Sequence, residues 1–277
     1  MIKKAWLKSN YKKLGAGLLA LVILAPAGFW FYVQAQTYPA EAELAEAIQA
    51  NDALMIIEER NHYILAPHTI DYDKIPIIYY PGGLVAPEAY LYKMGKVAVC
   101  LETTIYLIKA PFNVAIFDVN AAGRIIDRYA LGEAWVGGHS LGGISAGRFV
   151  AGKGEKVFGL FLFGSYCDQD INDYAGHVVS VMGLQDQIIN WNNYEQAKTN
   201  IPPTAVIMEI EGLNHSDFGN YELQKDDGIS ALNNKEVIEI ICSVFHKDGH
   251  AKGDIFTGES AGQPLSSEVT SSGEPAV

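Results

Sequence analysis

Glu133-Ala-Trp-Val-Gly-Gly-His-Ser-Leu-Gly-Gly-Ile-Ser-Ala-Gly147 decides how the rest of the chain is read. A short apolar run breaks at Gly137 and Gly138, and a helix-like pattern starts at Leu141. Gly138-His-Ser-Leu-Gly142 matches Gly-x-Ser-x-Gly, a strained strand-to-helix turn that presents a nucleophilic serine. Backbone passes close to backbone in such a turn, so side chains two residues either side of the serine would clash. The turn lifts the Ser140 hydroxyl out of the sheet and aims the Leu141 amide at a reacting carbonyl oxygen.

The pattern alone is weak, because it also occurs around Ser145 (Gly143–Gly147) and Ser260 (Gly258–Gly262). Context separates the copies. Only Ser140 follows a strand-like run and opens a helix. Ser145 falls more than a turn inside that helix, where its hydroxyl is expected to bond locally. Ser260 stands in a polar tail with no strand before it.

Outward from this turn the body reads as alternating strands and helices. Leu54–Glu58 and His62–Ala66 form an expected hairpin turning at Arg60-Asn61. Further strands are expected at Ile75–Tyr80, Thr104–Lys109, Trp135–Gly138, Val157–Phe163, Val178–Met182 and Ala205–Ile210. Helices are expected at Pro87–Leu101, Phe112–Arg128, Leu141–Ala151, Trp191–Thr199 and Asn234–Phe245. Such alternation implies an α/β fold, a mostly parallel sheet covered by helices on both faces, whose ligands bind at the strands' carboxyl ends.

A serine hydroxyl needs a base, and the base an orienting acid, in the chain order Ser, acid, His. Of seven histidines, only His215 lies just beyond the carboxyl end of the last strand. His62 and His68 come before the parallel strands, and His139 is inside the turn, expected to point away from Ser140. His177 starts a strand, and His246 and His250 enter the tail. Asp186, in Gly183-Leu-Gln-Asp-Gln-Ile-Ile189, is the expected acid, with Asp168, Asp170 and Asp173 as runners-up. Asp217 is too near His215 in sequence to reach its ring well. An oxyanion hole needs two fixed amides. Leu141 supplies one, and the loop Tyr80-Pro-Gly-Gly-Leu84 the other, Gly83 first and Leu84 second.

The chain has 277 residues, 49% of them hydrophobic, enough for one sizeable domain plus extras. A formal charge of -12, with no basic groove in the body, argues against nucleic acid as a partner. Three cysteines, widely spaced and odd in number, do not define a disulfide framework and leave their pairing open. No metal-ligand spacing is present, so neither metal nor cofactor is expected.

Residues 1–13 carry Lys3, Lys4, Lys8, Lys12 and Lys13, and the charge-free run 14–33 follows. About 20 apolar residues match a bilayer's hydrocarbon core, so 14–33 is expected to be a transmembrane anchor in contact with lipid. The lysines should stay cytoplasmic, which puts the rest of the chain on the extracytoplasmic side. Trp30, Phe31, Tyr32 and Tyr38 then fall at an outer aromatic belt. A signal peptide cleaved after Ala35 is the alternative, giving a secreted domain. Residues 34–53 read as a helical stalk, 54–246 as the catalytic domain, and 247–277 as a disordered tail.

Four stretches taken together resemble a known family: Tyr-Pro-Gly-Gly-Leu-Val (80–85), Lys-Ala-Pro-Phe-Asn-Val-Ala-Ile-Phe (109–117), Gly-Gly-His-Ser-Leu-Gly-Gly (137–143) and Asn-His-Ser-Asp-Phe-Gly-Asn-Tyr (214–221). They are similar to the α/β-hydrolase fold-5 family, small and often membrane-anchored relatives of dienelactone hydrolases, over roughly Tyr38 to Phe245. The resemblance implies an α/β-hydrolase fold and a triad of Ser140, Asp186 and His215. Gln187 stands where a glycine is common there, and no glycine precedes Thr104. Phe163 to His177 leaves too little chain for a large cap, so the site should be open. Lys109, Phe112, Asn113, Tyr166 and Trp191 are its expected walls.

An open site suits small-molecule esters or thioesters better than interfacial lipolysis. A C–C hydrolase or peptidase using the same triad is an alternative. So is a membrane-tethered binding module that has lost catalysis.

Overall fold

Ile77-Ile78-Tyr79-Tyr80 is buried at every position, yet its side chains divide by parity between two cores. Ile77 and Tyr79 join one cluster, Ile78 and Tyr80 the other, as the period of two along a strand requires. A strand apolar on both faces must lie between two layers of helix. The computed structural model, which describes residues 24–71 and 73–248 together with Ala16, Ala20 and Val22, has that arrangement.

Its sheet has eight strands in the order β1-β2-β4-β3-β5-β6-β7-β8. The strands are β1 (Leu54–Glu58), β2 (His62–Pro67), β3 (Ile77–Tyr80), β4 (Ile105–Ile108), β5 (Ala134–His139), β6 (Val157–Phe163), β7 (His177–Gly183) and β8 (Val206–Ile210). β1 and β2 form the expected hairpin, β2 runs antiparallel to β4, and every other pairing is parallel.

The helices are α1 (24–36), α2 (Ala42–Gln49), α3 (Leu91–Leu101), α4 (Ala121–Arg128), α5 (Leu141–Lys153), α6 (Trp191–Ala197) and α7 (Asn234–Asp248). One face is covered by α3 and α7 through Met94, Val97, Leu101, Val237 and Ile241. The other is covered by α4 and α5 through Ala122, Ile125, Ala146 and Phe149.

Three expectations change. The stretch 112–128 is not one helix: Phe112 (φ 55°) and Asn113 (φ 54°) adopt left-handed backbone. That breaks the helical ladder, leaving two single turns before α4. Segment 34–53 does not stand off as a stalk. Tyr38 bridges to Val85, Ala40 to Tyr221, and Ile48 is fully buried in the core beside Leu54. Lys247 and Asp248 extend α7, while 249–277 lie outside the described residues.

A pairing that the sequence leaves open is also decided: Cys100 and Cys242 form a disulfide between α3 and α7, while Cys167 stays free and buried. The partners are 142 residues apart, so only the packing of α3 on α7 brings them together. Such a bond contributes about 2–4 kcal/mol by restricting the unfolded chain.

Of the expected membrane span 14–33, residues 14, 15, 17–19, 21 and 23 lie outside the described residues. Among the described residues no helix is long and apolar enough to cross a membrane.

Lys93 of α3 is buried, with Nζ donating to Gly219 O at 2.6 Å. Burial pushes its ammonium down to about 8, against a partial upward pull from Asp217 and Glu41. Between that value and its ordinary 10.5 the unfolded chain binds the extra proton. Stability should therefore rise from pH 8 to pH 10, and Lys93→Met should flatten that rise in urea unfolding. An unchanged slope would remove Lys93 as its source.

Candidate active site

β5 is buried along its whole length and ends at His139. Ser140 turns the chain with φ 53° and ψ −124°, and α5 starts at Leu141. A non-glycine residue held at positive φ is uncommon and marks a turn that its surroundings enforce. Two glycines allow it: a Cβ on Gly138 would come within 2.2 Å of Tyr80 O, and one on Gly142 within 2.1 Å of the same oxygen. Ser145 is fully buried in α5 with Oγ donating to Leu141 O at 2.8 Å, as expected for the decoy. Ser260 lies outside the described residues.

His215 and Asp186 follow β8 and β7 at the sheet's carboxyl edge. Asp186 Oδ2 is 2.6 Å from His215 Nδ1, and both side chains are buried. A carboxylate only accepts, so this bond assigns the ring proton to Nδ1 and leaves Nε2 with a lone pair. Asp186 Oδ1 takes the amides of Ile188 and Ile189, each at 2.9 Å. Nε2 of His215 is buried without a hydrogen bond, so the expected bond to the Ser140 hydroxyl is not made. Resting sites often leave this contact loose until substrate binds.

The pair nonetheless adjoins the turn. Ser140 N donates to Phe163 O at 2.9 Å, and a Cβ on the next residue, Gly164, would lie 3.3 Å from His215 Nδ1 and 3.4 Å from Asp186 Oδ2. The His139 ring lies against that of His215, tilted by 53° with centroids 4.5 Å apart.

Of the runner-up acids, two are spent elsewhere and Asp173 is exposed at the surface. Asp168 accepts both Nε and a terminal amine of Arg148. Asp170 caps Asn172, and Asp217 takes the Asn214 amide at 3.0 Å.

Around the oxyanion loop, the Leu84 amide donates to Asn113 O at 2.7 Å, so the second-choice donor is already occupied. Gly83 packs against Leu141, where an added Cβ would lie 3.0 Å from Cδ2. Neither the Gly83 nor the Leu141 amide has a hydrogen bond among the described residues. Gly82 N donates to Tyr90 Oη at 2.9 Å, and that hydroxyl meets His139 Nδ1 at 2.9 Å. The residue before the serine is thereby tied to the oxyanion loop. Burial first, and then the His215 ring, hold His139 far below the usual histidine range, so it stays neutral. Tyr90 carried no sequence signal, because it reads as one more apolar position in an amphipathic helix.

The wall candidates divide. Trp191 Nε1 donates to Asp186 O at 2.9 Å, and Asn113 reaches Thr37 Oγ1 at 3.2 Å. Tyr166 Oη accepts from Asn193 Nδ2 at 3.5 Å. Lys109 instead turns to the hairpin, with Nζ 2.6 Å from Glu58 and 4.8 Å from the Tyr63 ring centre. Phe112 is exposed at the surface.

Asp227 was missed altogether. Its buried carboxylate takes Gln187 N at 3.2 Å, Gly228 N at 2.8 Å, and the Ser216 amide and hydroxyl at 2.8 and 2.7 Å. A longer bond at 3.4 Å reaches the His215 amide. It clamps the acid loop to the histidine loop. In sequence, Lys225-Asp-Asp-Gly228 looks like any solvated turn. Asp227→Asn would set an amide's hydrogens against backbone N–H groups. We expect any turnover that depends on the His215–Asp186 pair to fall about 10²-fold through their misplacement. We also expect a stability loss of about 1–3 kcal/mol. Unchanged turnover would remove the clamp from the site.

A family model described as "Alpha/beta hydrolase family" matches residues 76–239, from β3 through the first turns of α7. No curated protein matches the sequence. Among solved structures, alpha/beta hydrolase domain-containing protein 10 from mouse is similar at a TM-score of 0.51 and 14% identity, over 70% of this chain and 97% of that one. Est1E from Butyrivibrio proteoclasticus is similar at 0.53 and 12%, over 71% and 99%. An esterase from Mycobacterium tuberculosis is similar at 0.51 and 12%, over 74% and 96%. At such identities these likenesses speak for the fold alone. With the family match spanning the strands that carry Ser140, Asp186 and His215, the chain belongs to the alpha/beta hydrolase family.

Proposed function

We propose that this protein is a serine hydrolase of carboxylic esters or thioesters, acting through Ser140, His215 and Asp186. The observation that carries it is the buried His215–Asp186 pair, its unbonded Nε2 beside a strained serine turn. In this reading Nε2 takes the Ser140 proton as Oγ attacks the substrate carbonyl. The Gly83 and Leu141 amides receive the developing oxyanion. The protonated ring then gives its proton to the leaving alcohol or thiol, and the acyl group stays on Ser140. Water, deprotonated by the same nitrogen, releases the acid.

The reading extends to location: 14–33 anchors the chain, and the catalytic domain faces the extracytoplasmic side. The lysine-flanked apolar run supports this, and so does the Cys100–Cys242 disulfide, a bond that persists in oxidising compartments.

A fluorophosphonate probe tests the chemistry, because only an activated serine reacts with it. Stoichiometric labelling and turnover of small aryl esters are expected. A protein that stays unlabelled while folded is a binding module. Protease added outside intact cells tests the topology, and a protected domain would overturn it.

A further inference from the structure

We infer that the loop carrying Phe112 and Phe117 rests in the outer leaflet of the bilayer, and that the enzyme takes esters carried by that leaflet. This deepens the reading above and rests on it.

The observation begins with exposed aromatic rings. Phe112 is 45% exposed and Phe117 60%, and neither belongs to either apolar core. Their rings meet edge to face at 6.3 Å, and Phe112 meets Phe29 of α1 at 5.3 Å. Phe29, Trp30 and Phe31 are also exposed, so the apolar surface runs from α1 onto the catalytic domain without interruption. Rings left in water on this scale mark a surface meant for another apolar phase.

The backbone holds Phe112 in place. Phe112 and the following Asn113 both sit at positive φ, a conformation that costs free energy for residues with bulky side chains. The Asn113 side chain donates to Thr37 at the end of α1, and its carbonyl takes the Leu84 amide. The loop is thus tied to the anchor's exit on one side and to the oxyanion loop on the other.

The bilayer as occupant follows from continuity. Phe29 lies four residues before the end of the apolar run 14–33, so at the helical rise it sits about 6 Å inside the outer edge of a spanning segment. Phe112, in ring contact with it, must share that depth within the interfacial zone where aromatic rings partition. The Gly83–Leu141 oxyanion site is connected to this loop through Leu84. An ester held in the outer leaflet therefore approaches the site along the aromatic loop. This departs from the preference for soluble esters drawn from an open site alone.

Phe117 is the residue to change, because it carries none of the bonds that hold Asn113 or Leu84. With Cys167 buried and the other cysteines paired, Phe117→Cys offers one accessible thiol for an environment-sensitive fluorophore. In the full-length chain reconstituted into phospholipid vesicles, we expect blue-shifted emission that brominated acyl chains quench. Water-like, unquenched emission overturns the proposal.

In the same vesicles, Phe117→Ser should lower kcat/KM for a membrane-borne long-chain aryl ester about tenfold, as loss of one buried ring implies. Its kcat/KM for aryl acetate should not move. Equal loss on both esters, or loss on neither, also overturns the proposal. Ser140→Ala that still hydrolyses aryl acetate, or a chain that does not stay with the vesicles, defeats the underlying reading and this one with it. A water-exposed label on a vesicle-bound, Ser140-dependent enzyme defeats this one alone.

Discussion

Ser140→Ala should abolish both ester turnover and fluorophosphonate labelling, while Ser145→Ala leaves both almost unchanged. The two serines share one five-residue pattern, and their surroundings in the fold are opposite. Ser140 stands at positive φ between β5 and α5, and its amide is held by Phe163 O. Ser145 is a helix residue whose hydroxyl is spent on Leu141 O. Removing a nucleophile that acts with its base and acid as a unit costs orders of magnitude, roughly 10³-fold or more. Removing the Ser145 hydroxyl should cost at most about 1 kcal/mol for a lost local hydrogen bond. Steady-state turnover and gel-based labelling of both variants decide it. A labelled Ser140→Ala protein would move the nucleophile elsewhere.

Gly142→Ala should be among the most damaging single methyl additions in this domain. Its Cβ would fall 2.1 Å from Tyr80 O, 2.4 Å from Pro81 O and 2.7 Å from Tyr80 C. All three are backbone atoms at the end of β3, so no side chain can rotate away. The start of α5 and the Pro81-Gly82-Gly83 loop would have to separate, and these two pieces carry the candidate oxyanion amides. Overpacking of this kind costs about 1–3 kcal/mol, and more where backbone is the obstacle. We therefore expect a loss of about 3 kcal/mol in chemical unfolding, together with lost turnover. Gly132→Ala and Gly152→Ala are the controls, since nothing lies within 4 Å of either added Cβ. Equal behaviour of the three variants would show that the approach of α5 to β3 is not critical.

The local pattern carried most of the fold. Buried strands with glycine and proline at their ends, and helices between them, imply a parallel sheet wherever they are read. The eight strands fall where apolar runs and turn residues put them, and β5 leads into Ser140 as its glycines require. The positions of Asp186 and His215 after the right strands were legible because chain order and strand ends are both properties of sequence.

What only the tertiary structure decided are relations between residues far apart in the chain. Cys100 finds Cys242 because α3 packs on α7, and no spacing rule spans 142 residues. Asp227 is a buried clamp because two loops from different strands converge on it; alone in sequence it is one acid among many. Leu84 is excluded as an oxyanion donor because Asn113 O claims its amide across 29 positions. Periodicity and motif encode the environment a residue brings with it, strand by strand and turn by turn. Which carbonyl, ring or carboxylate arrives opposite it depends on the packing of whole elements.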